Sequence, residues 1–131
     1  MPEKDLWPIN DMWNLHYFGQ MAFNAGPERH TAVIENSYGG AKDAKEFCTK
    51  SQWVSYESNK ALYEGWLDHM WNDATGVMLW MSGASYPSMV WQTYDYYYDL
   101  TGAYFGCKQA CEPVHIYWNP VTEEVKVANT T

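Results

Sequence analysis

Basic residues are scarce in this chain: 8 Lys and Arg stand against 16 Asp and Glu, a formal charge of −8. That balance argues against nucleic acid or an anionic membrane surface as a partner. Long apolar runs are missing too, and no stretch approaches the ~20 residues of a membrane span. The opening Met1-Pro2-Glu3-Lys4-Asp5 lacks the basic and then apolar regions of a signal peptide, so the chain as given is expected to carry no export address. Cysteine is sparse and odd in number. Cys48, Cys107 and Cys111 form no CxxC and no zinc-ligand pattern, so buried or partly buried free thiols are expected. Cys107 and Cys111, four apart, could face each other on one helix, but a bridge within a helix turn is rare.

Other chemistry is missing as well. His16, His30, His69 and His115 show no HxxxH or HExxH spacing and no neighbouring ligand pattern, so no metal site is expected. Gly39-Gly40 lacks the surroundings of a phosphate loop, and no G-x-S-x-G elbow occurs. Neither a nucleotide or other cofactor nor a serine nucleophile is expected.

What is abundant is aromatic: 8 Trp, 11 Tyr and 4 Phe in 131 residues. Rings in that number need either a large core or a sugar to stack on. The chain is long enough for one domain with a real core, and no linker or repeat interrupts it. Residues 75–81 (TGVMLWM) are a short apolar run between the turn-prone 72–75 and the polar 82–88 (SGASYPS), which reads as a strand buried on both faces. With helix-length segments around it, this is the unit of an α/β fold, whose ligand contacts lie just past the strand's carboxyl end.

Along the chain, 6–19 (LWPINDMWNLHYFG) is compact and aromatic, with Asn10 or Asp11 able to cap a short helix through Phe18, and 20–26 reads as loop. Pro27 suits the first position of a helix reaching about Ser37 and ended by Gly39-Gly40. Asp43 and Glu46 have capping-box spacing and open the longest helix, predicted to run to about Trp71. One face of it carries Phe47, Ser51, Val54, Ser58, Leu62 and Gly65, and much of the other carries Trp53, Tyr56, Tyr63, Leu67 and Met70. Only Glu46, Lys50, Glu57, Glu64 and Asp68 form a polar stripe. Such a helix is expected to be covered on both sides, with its small residues lying close against a sheet. Residues 86–100 are dense in rings, Thr101-Gly102 breaks them, and 103–110 is again helical before Glu112-Pro113. Residues 114–118, a turn at 119–122 and 123–128 then read as a β-hairpin that opens a second domain, with a boundary near Pro113.

The succession LWPINDMWNLHYFG, EFCTKSQWVSYESNKALYEGW, TGVMLWMSGASYPSMVWQTYDYY and GAYFGCKQACEPVHIYW resembles the later catalytic-domain sequence of glycoside hydrolase family 2. It is most similar to the exo-β-D-glucosaminidase and endo-β-mannosidase branch, in order and spacing, over nearly the whole chain. The resemblance implies an α/β fragment: residues 1–113 as the C-terminal portion of a (β/α)8 TIM barrel, and 114–131 as the first strands of an immunoglobulin-like β-sandwich. The long helix would be barrel helix seven and residues 76–81 strand eight. A retaining glycosidase of this kind uses two carboxyl groups ~5 Å apart. In the family they follow barrel strands four and seven, the acid sits in an Asn-Glu pair, and no Asn-Glu dipeptide occurs here.

The nucleophile's strand would lie upstream of Met1, so no catalytic residue is assigned to this chain. Glu35 falls after that strand's place, in a predicted helix, and Glu57 and Glu64 read as solvated or helix-packing residues. What the resemblance leaves to this chain is a sugar-contacting wall. Trp80 matches the family's strand-eight Trp at the subsite of the cleaved sugar, Ser82 and Tyr86 could hydrogen-bond there, and Trp91 is a further candidate. Relatives carry Asn and Trp in the loop where this chain has Ser82-Gly83-Ala84-Ser85-Tyr86, which leaves the sugar open between β-linked glucosaminide and mannoside. The implied partner is the remainder of the glycosidase chain, secreted or periplasmic in its full length. Two other readings stay open: a stand-alone carbohydrate-binding module, and a truncated remnant without function.

Overall fold

The computed structural model describes residues 2–16, 26–89 and 91–131. Its elements, in chain order, are α1 (Glu3–Leu6), α2 (Met12–His16), α3 (Pro27–Tyr38), α4 (Ala44–Asp68), α5 (Gly102–Ala110), β1 (Val114–Asn119) and β2 (Glu124–Asn129). The expected continuation of α2 through Phe18, and nearly all of the loop at 20–26, lie outside the described residues. No helix among the described residues is long and apolar enough to cross a membrane.

Local chemistry sets most helix ends. Asn10 Oδ1 accepts the Met12 N–H at 3.0 Å and so caps α2. Pro27 opens α3, where a missing N–H costs nothing, and Gly39 closes it at φ +72° with its N–H on Glu35 O. Asp43 caps α4 through Oδ1, which accepts the Glu46 N–H at 2.8 Å. Glu46 reaches back one residue further than in the usual capping box, taking the Lys42 N–H at 3.1 Å, and also pairs with Lys50 at 2.9 Å. At 25 residues, α4 is about 37 Å long and is the axis on which everything else rests.

The N-terminal third packs on the first turns of α4. Trp13, Ile34 and Phe47 form the buried cluster, with Leu6, Trp7, Ile9, Ala41, Val54 and Met89 around it. Trp7 stacks on Phe47 at 4.5 Å, Trp13 meets the same ring edge-on at 5.8 Å, and the Trp13 indole N–H is satisfied by Leu6 O at 3.0 Å.

A single ridge of α4, spaced by four residues, receives the C-terminal half. Gln52 accepts the first N–H of α5, from Gly102, at 2.6 Å. Tyr56 donates its hydroxyl to Gln109 and lies under Gly106. Two glycines, with Ala103 and Ala110 wholly buried beside them, make the approach possible: a Cβ on Gly102 would stand 2.1 Å from Gln52 O, and one on Gly106 2.2 Å from Tyr56 O. The close approach is therefore made by small residues of α5. Ser51 and Ser58, expected to lie against a sheet, line a cleft instead, and the Gly65 face is open.

The same ridge continues to Glu64 and Asp68, where the hairpin docks. Strands β1 and β2 pair antiparallel from Val114↔Asn129 to Asn119↔Glu124. Asn119 Oδ1 closes the turn by accepting the N–H groups of Val121 and Thr122. His115, Tyr117 and Asn119 face α4, while Val114, Ile116 and Trp118 face away at 55%, 65% and 54% exposure, joined on that outer face by Val125 and Val127. Glu64 is thus not solvated: it is 9% exposed, 2.7 Å from His115 Nε2, and also bonded to Lys60.

The expected buried strand at 76–81 differs in the structure. These residues follow the turn at 69–74 without secondary structure, and none pairs with another described residue in a ladder. Met78 is 97% and Trp80 74% exposed. The reason is physical: an apolar run becomes a strand only when neighbours take its backbone N–H and C=O groups. Cys48 and Cys107 are half-buried and Cys111 is exposed, all as free thiols.

Candidate functional site

The segment after α4 carries three of the four candidate residues, on one exposed stretch. Trp80 stands at the end of the extended run, and its indole N–H meets no described acceptor. Two residues on, Ser82 is exposed with its hydroxyl free among the described residues, while its carbonyl accepts the Tyr94 N–H at 2.8 Å and the Thr93 hydroxyl at 2.9 Å. Tyr86 is 39% exposed. The stretch is pinned a second time by His16, whose Nδ1 lies 2.7 Å from Pro87 O and whose carbonyl accepts the Met89 N–H at 2.7 Å. An exposed indole, followed two and six residues later by a serine hydroxyl and a phenol on backbone held at Ser82 and Pro87, offers the kinds of group that contact sugars: an apolar face and hydroxyls.

Trp91 is not brought to this stretch. It lines a separate cleft of about 360 Å³ with Phe47, Ser51, Ser58, Met89, Gln92 and Thr101 among its walls. Behind it, Gln92 and Thr93 are buried and hold the chain in place: Gln92 Nε2 donates to Ser88 O at 2.8 Å, and the Thr101 hydroxyl donates to Gln92 O at 2.8 Å. On the cleft's far side, burial lowers the His30 pKa, and its Nε2 lies 2.7 Å from Ser51 Oγ.

Carboxylates lie elsewhere. Glu35 is on the exposed side of α3, and Glu57 is exposed and accepts the Tyr38 hydroxyl. Among the described residues no three His, Cys, Asp or Glu converge on a point where a metal ion could sit.

The most connected polar cluster is one the sequence reading did not assemble, between α4 and the hairpin. Asp68 accepts from Lys126 Nζ at 2.7 Å, Asn119 Nδ2 at 2.8 Å and the Tyr117 hydroxyl at 3.1 Å. The Lys126 ammonium foremost, then Asn119 and Tyr117, hold the Asp68 carboxyl below its ordinary value against the opposing effect of burial. Tyr117 moves the other way, pushed up to about 12 by burial and by its bond to the Asp68 carboxylate. The signal available in the sequence was the spacing: Glu64 and Asp68 one turn apart, and His115, Tyr117 and Asn119 at alternate positions of one strand. Cation, amide and phenol are all used in docking, so the cluster holds the hairpin in place rather than offering free groups for chemistry.

No family model matches the chain. Individual relatives do. Mannosylglycoprotein endo-beta-mannosidase of Lilium longiflorum is 34% identical over 122 residues, covering 93% of this chain and 12% of that protein. Exo-beta-D-glucosaminidase of Amycolatopsis orientalis is 36% identical over 103 residues, covering 76% of this chain and 10% of that protein. Among solved structures, the exo-chitosanase CsxA of Amycolatopsis orientalis superimposes with a TM-score of 0.74 at 30% identity, over 81% of this chain and 13% of that one. A variant of CsxA in complex with PNP-beta-D-glucosamine matches equally, with a TM-score of 0.74. The chain thus spans only 10–12% of the length of these two relatives.

Proposed function

We propose a function from one premise: this chain is homologous to one segment of glycoside hydrolases, the exo-β-D-glucosaminidase and endo-β-mannosidase branch of family 2. On that premise it is part of a retaining exo-β-glycosidase that hydrolyses O-glycosyl bonds of a β-linked glucosaminide or mannoside. Residues 1–113 form the last part of its (β/α)8 barrel and 114–131 the first strands of an immunoglobulin-like sandwich. The two catalytic carboxyl groups, which a retaining mechanism needs ~5 Å apart, come from elsewhere in the enzyme. This chain supplies the wall of the sugar pocket: Trp80 first, with Ser82 and Tyr86 at the edge and Trp91 further back.

What carries the reading is a pair of bare apolar surfaces. Residues 76–81 hold an exposed Trp80 and Met78 with no strand beside them among the described residues, and the outer face of the hairpin exposes Val114, Ile116, Trp118, Val125 and Val127 together. Apolar patches of that kind mark contact surfaces. A barrel needs strand neighbours at the first and a sandwich needs a second sheet over the other. A stand-alone binding module would be expected to close its own sheet, so these two surfaces weigh against it.

The test is Trp80→Phe in the glycosidase that contains this segment. The change keeps most of the volume but removes the indole donor and part of the stacking face. It should leave the melting temperature within a few degrees and lower kcat/KM by the equivalent of roughly 1–2 kcal/mol. A sharp loss of stability with kcat/KM per folded molecule unchanged would make Trp80 a filler of the barrel interior and end the assignment.

A further inference from the structure

We infer that Thr93 is a positioning residue: its buried hydroxyl fixes how Trp80 is presented to the sugar, by holding the Ser82 carbonyl two residues further on. The inference rests on the reading of Trp80 as pocket wall given above and adds to it the group that aims the wall. Thr93 is 4% exposed, and its hydroxyl donates to Ser82 O at 2.9 Å. The Tyr94 N–H donates to the same oxygen at 2.8 Å, so two adjacent residues occupy both lone pairs of that carbonyl.

Ser82 is the point at which this stretch is held. Among the described residues, none from 75 to 86 except Ser82 makes a hydrogen bond, and the nearest bonded groups are Ala74 O upstream and Pro87 O downstream. Two residues of separation put the Trp80 Cα within about 7 Å of that of Ser82, with only a few soft dihedrals between them. In the barrel reading, the carbonyls of residues 76–81 go to neighbouring strands, and Ser82 O is the first that no ladder takes. Its direction is then set by Thr93 and Tyr94.

Thr93 is itself fixed from behind. Its carbonyl accepts the Thr101 N–H at 3.1 Å and the Thr101 hydroxyl at 3.1 Å, and that hydroxyl also donates to Gln92 O at 2.8 Å. Thr101 stands at the N-cap of α5, whose close seat on α4 is set by Gly102 and Gly106. A continuous run of bonds therefore leads from the α4–α5 contact to the Ser82 carbonyl. A buried β-branched side chain has few rotamers to choose from, so the Thr93 hydroxyl arrives from one direction. The Tyr94 N–H alone would satisfy the carbonyl, and what the second donor adds is orientation. For a ring that must meet a sugar face, small misplacements are costly.

The experiment uses the glycosidase that contains this segment, with an aryl β-D-glucosaminide and an aryl β-D-mannoside as probes. Thr93→Val keeps the branched shape and removes the hydroxyl. It should lower kcat/KM about tenfold, mainly through KM, and Thr93→Ser, which keeps the hydroxyl, should restore it to within about twofold. Combined with Trp80→Phe, Thr93→Val should add no more than about twofold to the larger single loss, because both changes act through one contact. Three results would overturn the inference: a lowered melting temperature with kcat/KM per folded molecule unchanged, no restoration by Thr93→Ser, or losses that multiply in the double variant. The two readings fail separately. A silent Thr93→Val beside a damaging Trp80→Phe would leave the wall without this positioning residue, whereas a silent Trp80→Phe would remove the wall and the role of Thr93 with it.

Discussion

The ridge Gln52, Tyr56, Lys60, Glu64 and Asp68 and the run at 76–81 lie within thirty residues of each other and could hardly be treated more differently by the fold. Every ridge residue has a partner inside the chain: Gly102, Gln109, Glu64, His115, and the trio Tyr117, Asn119 and Lys126. The run has no ladder partner among the described residues, although its composition is the more apolar of the two. Hydrophobicity alone therefore did not decide what was buried. Among the described residues the two differ in their complement: two glycines and an inward-facing polar strand meet the ridge, and no described strand neighbours the run.

The contrast can be broken from the ridge side. Gly106→Val should be the most damaging change, because its branched side chain would press into the backbone at Tyr56 O, which cannot rotate away. We expect about 3 kcal/mol lost and α5 separated from α4, read as a shifted denaturant midpoint. Glu64→Ala should cost less, about 2 kcal/mol, because it leaves His115 and Lys60 without their acceptor in a site that stays nearly closed to water. Asp68→Asn should be mildest, about 1 kcal/mol, since the amide still accepts a hydrogen bond but no longer attracts the Lys126 ammonium.

Asp68 and Tyr117 also give this docking a pH dependence with a definite sign. The Asp68 carboxyl is held below its ordinary value, so its contribution is complete above the unfolded carboxyl value of about 4 and is lost as pH falls through the lowered one. Tyr117 is raised to about 12, so its contribution is complete below the ordinary tyrosine value of 10.0 and disappears as pH rises toward 12. Hairpin docking, followed by the ring signals of Tyr117 in NMR, should weaken at the acid end through Asp68 and at the alkaline end through Tyr117, and Asp68→Asn should remove the acid-side loss.

These contrasts also explain what was legible. The Asp43 cap, Pro27 and Gly39 at the ends of α3, and the Asn119 turn were readable because each is settled within four residues. The candidates Trp80, Ser82 and Tyr86 could be picked out because they share one stretch of sequence, whereas the cleft that Trp91 lines is built from residues as far apart as Leu6 and Thr101, which no short window contains. Glu64 was left open between solvated and helix-packing because periodicity tells which residues share a face and not what covers that face. The strand at 76–81 was read from composition that is correct for a strand, but pairing is a long-range property that no short window contains. Alternation in β1 identified its two faces equally well, and only the structure shows that the polar one turns inward.

The central claim is that the ridge of α4 finds its partners within this chain, whereas the run at 76–81 is proposed to find its strand neighbours elsewhere in a larger protein. Amide hydrogen exchange on the 131-residue chain tests it most directly, residue by residue. The amides of Tyr56, Lys60 and Glu64 should be the most protected, and those of Val77, Leu79 and Met81 should exchange at close to unprotected rates. Protection at 77–81 equal to that of the ridge would mean that the chain closes its own sheet, and the account of it as part of a larger barrel would be wrong.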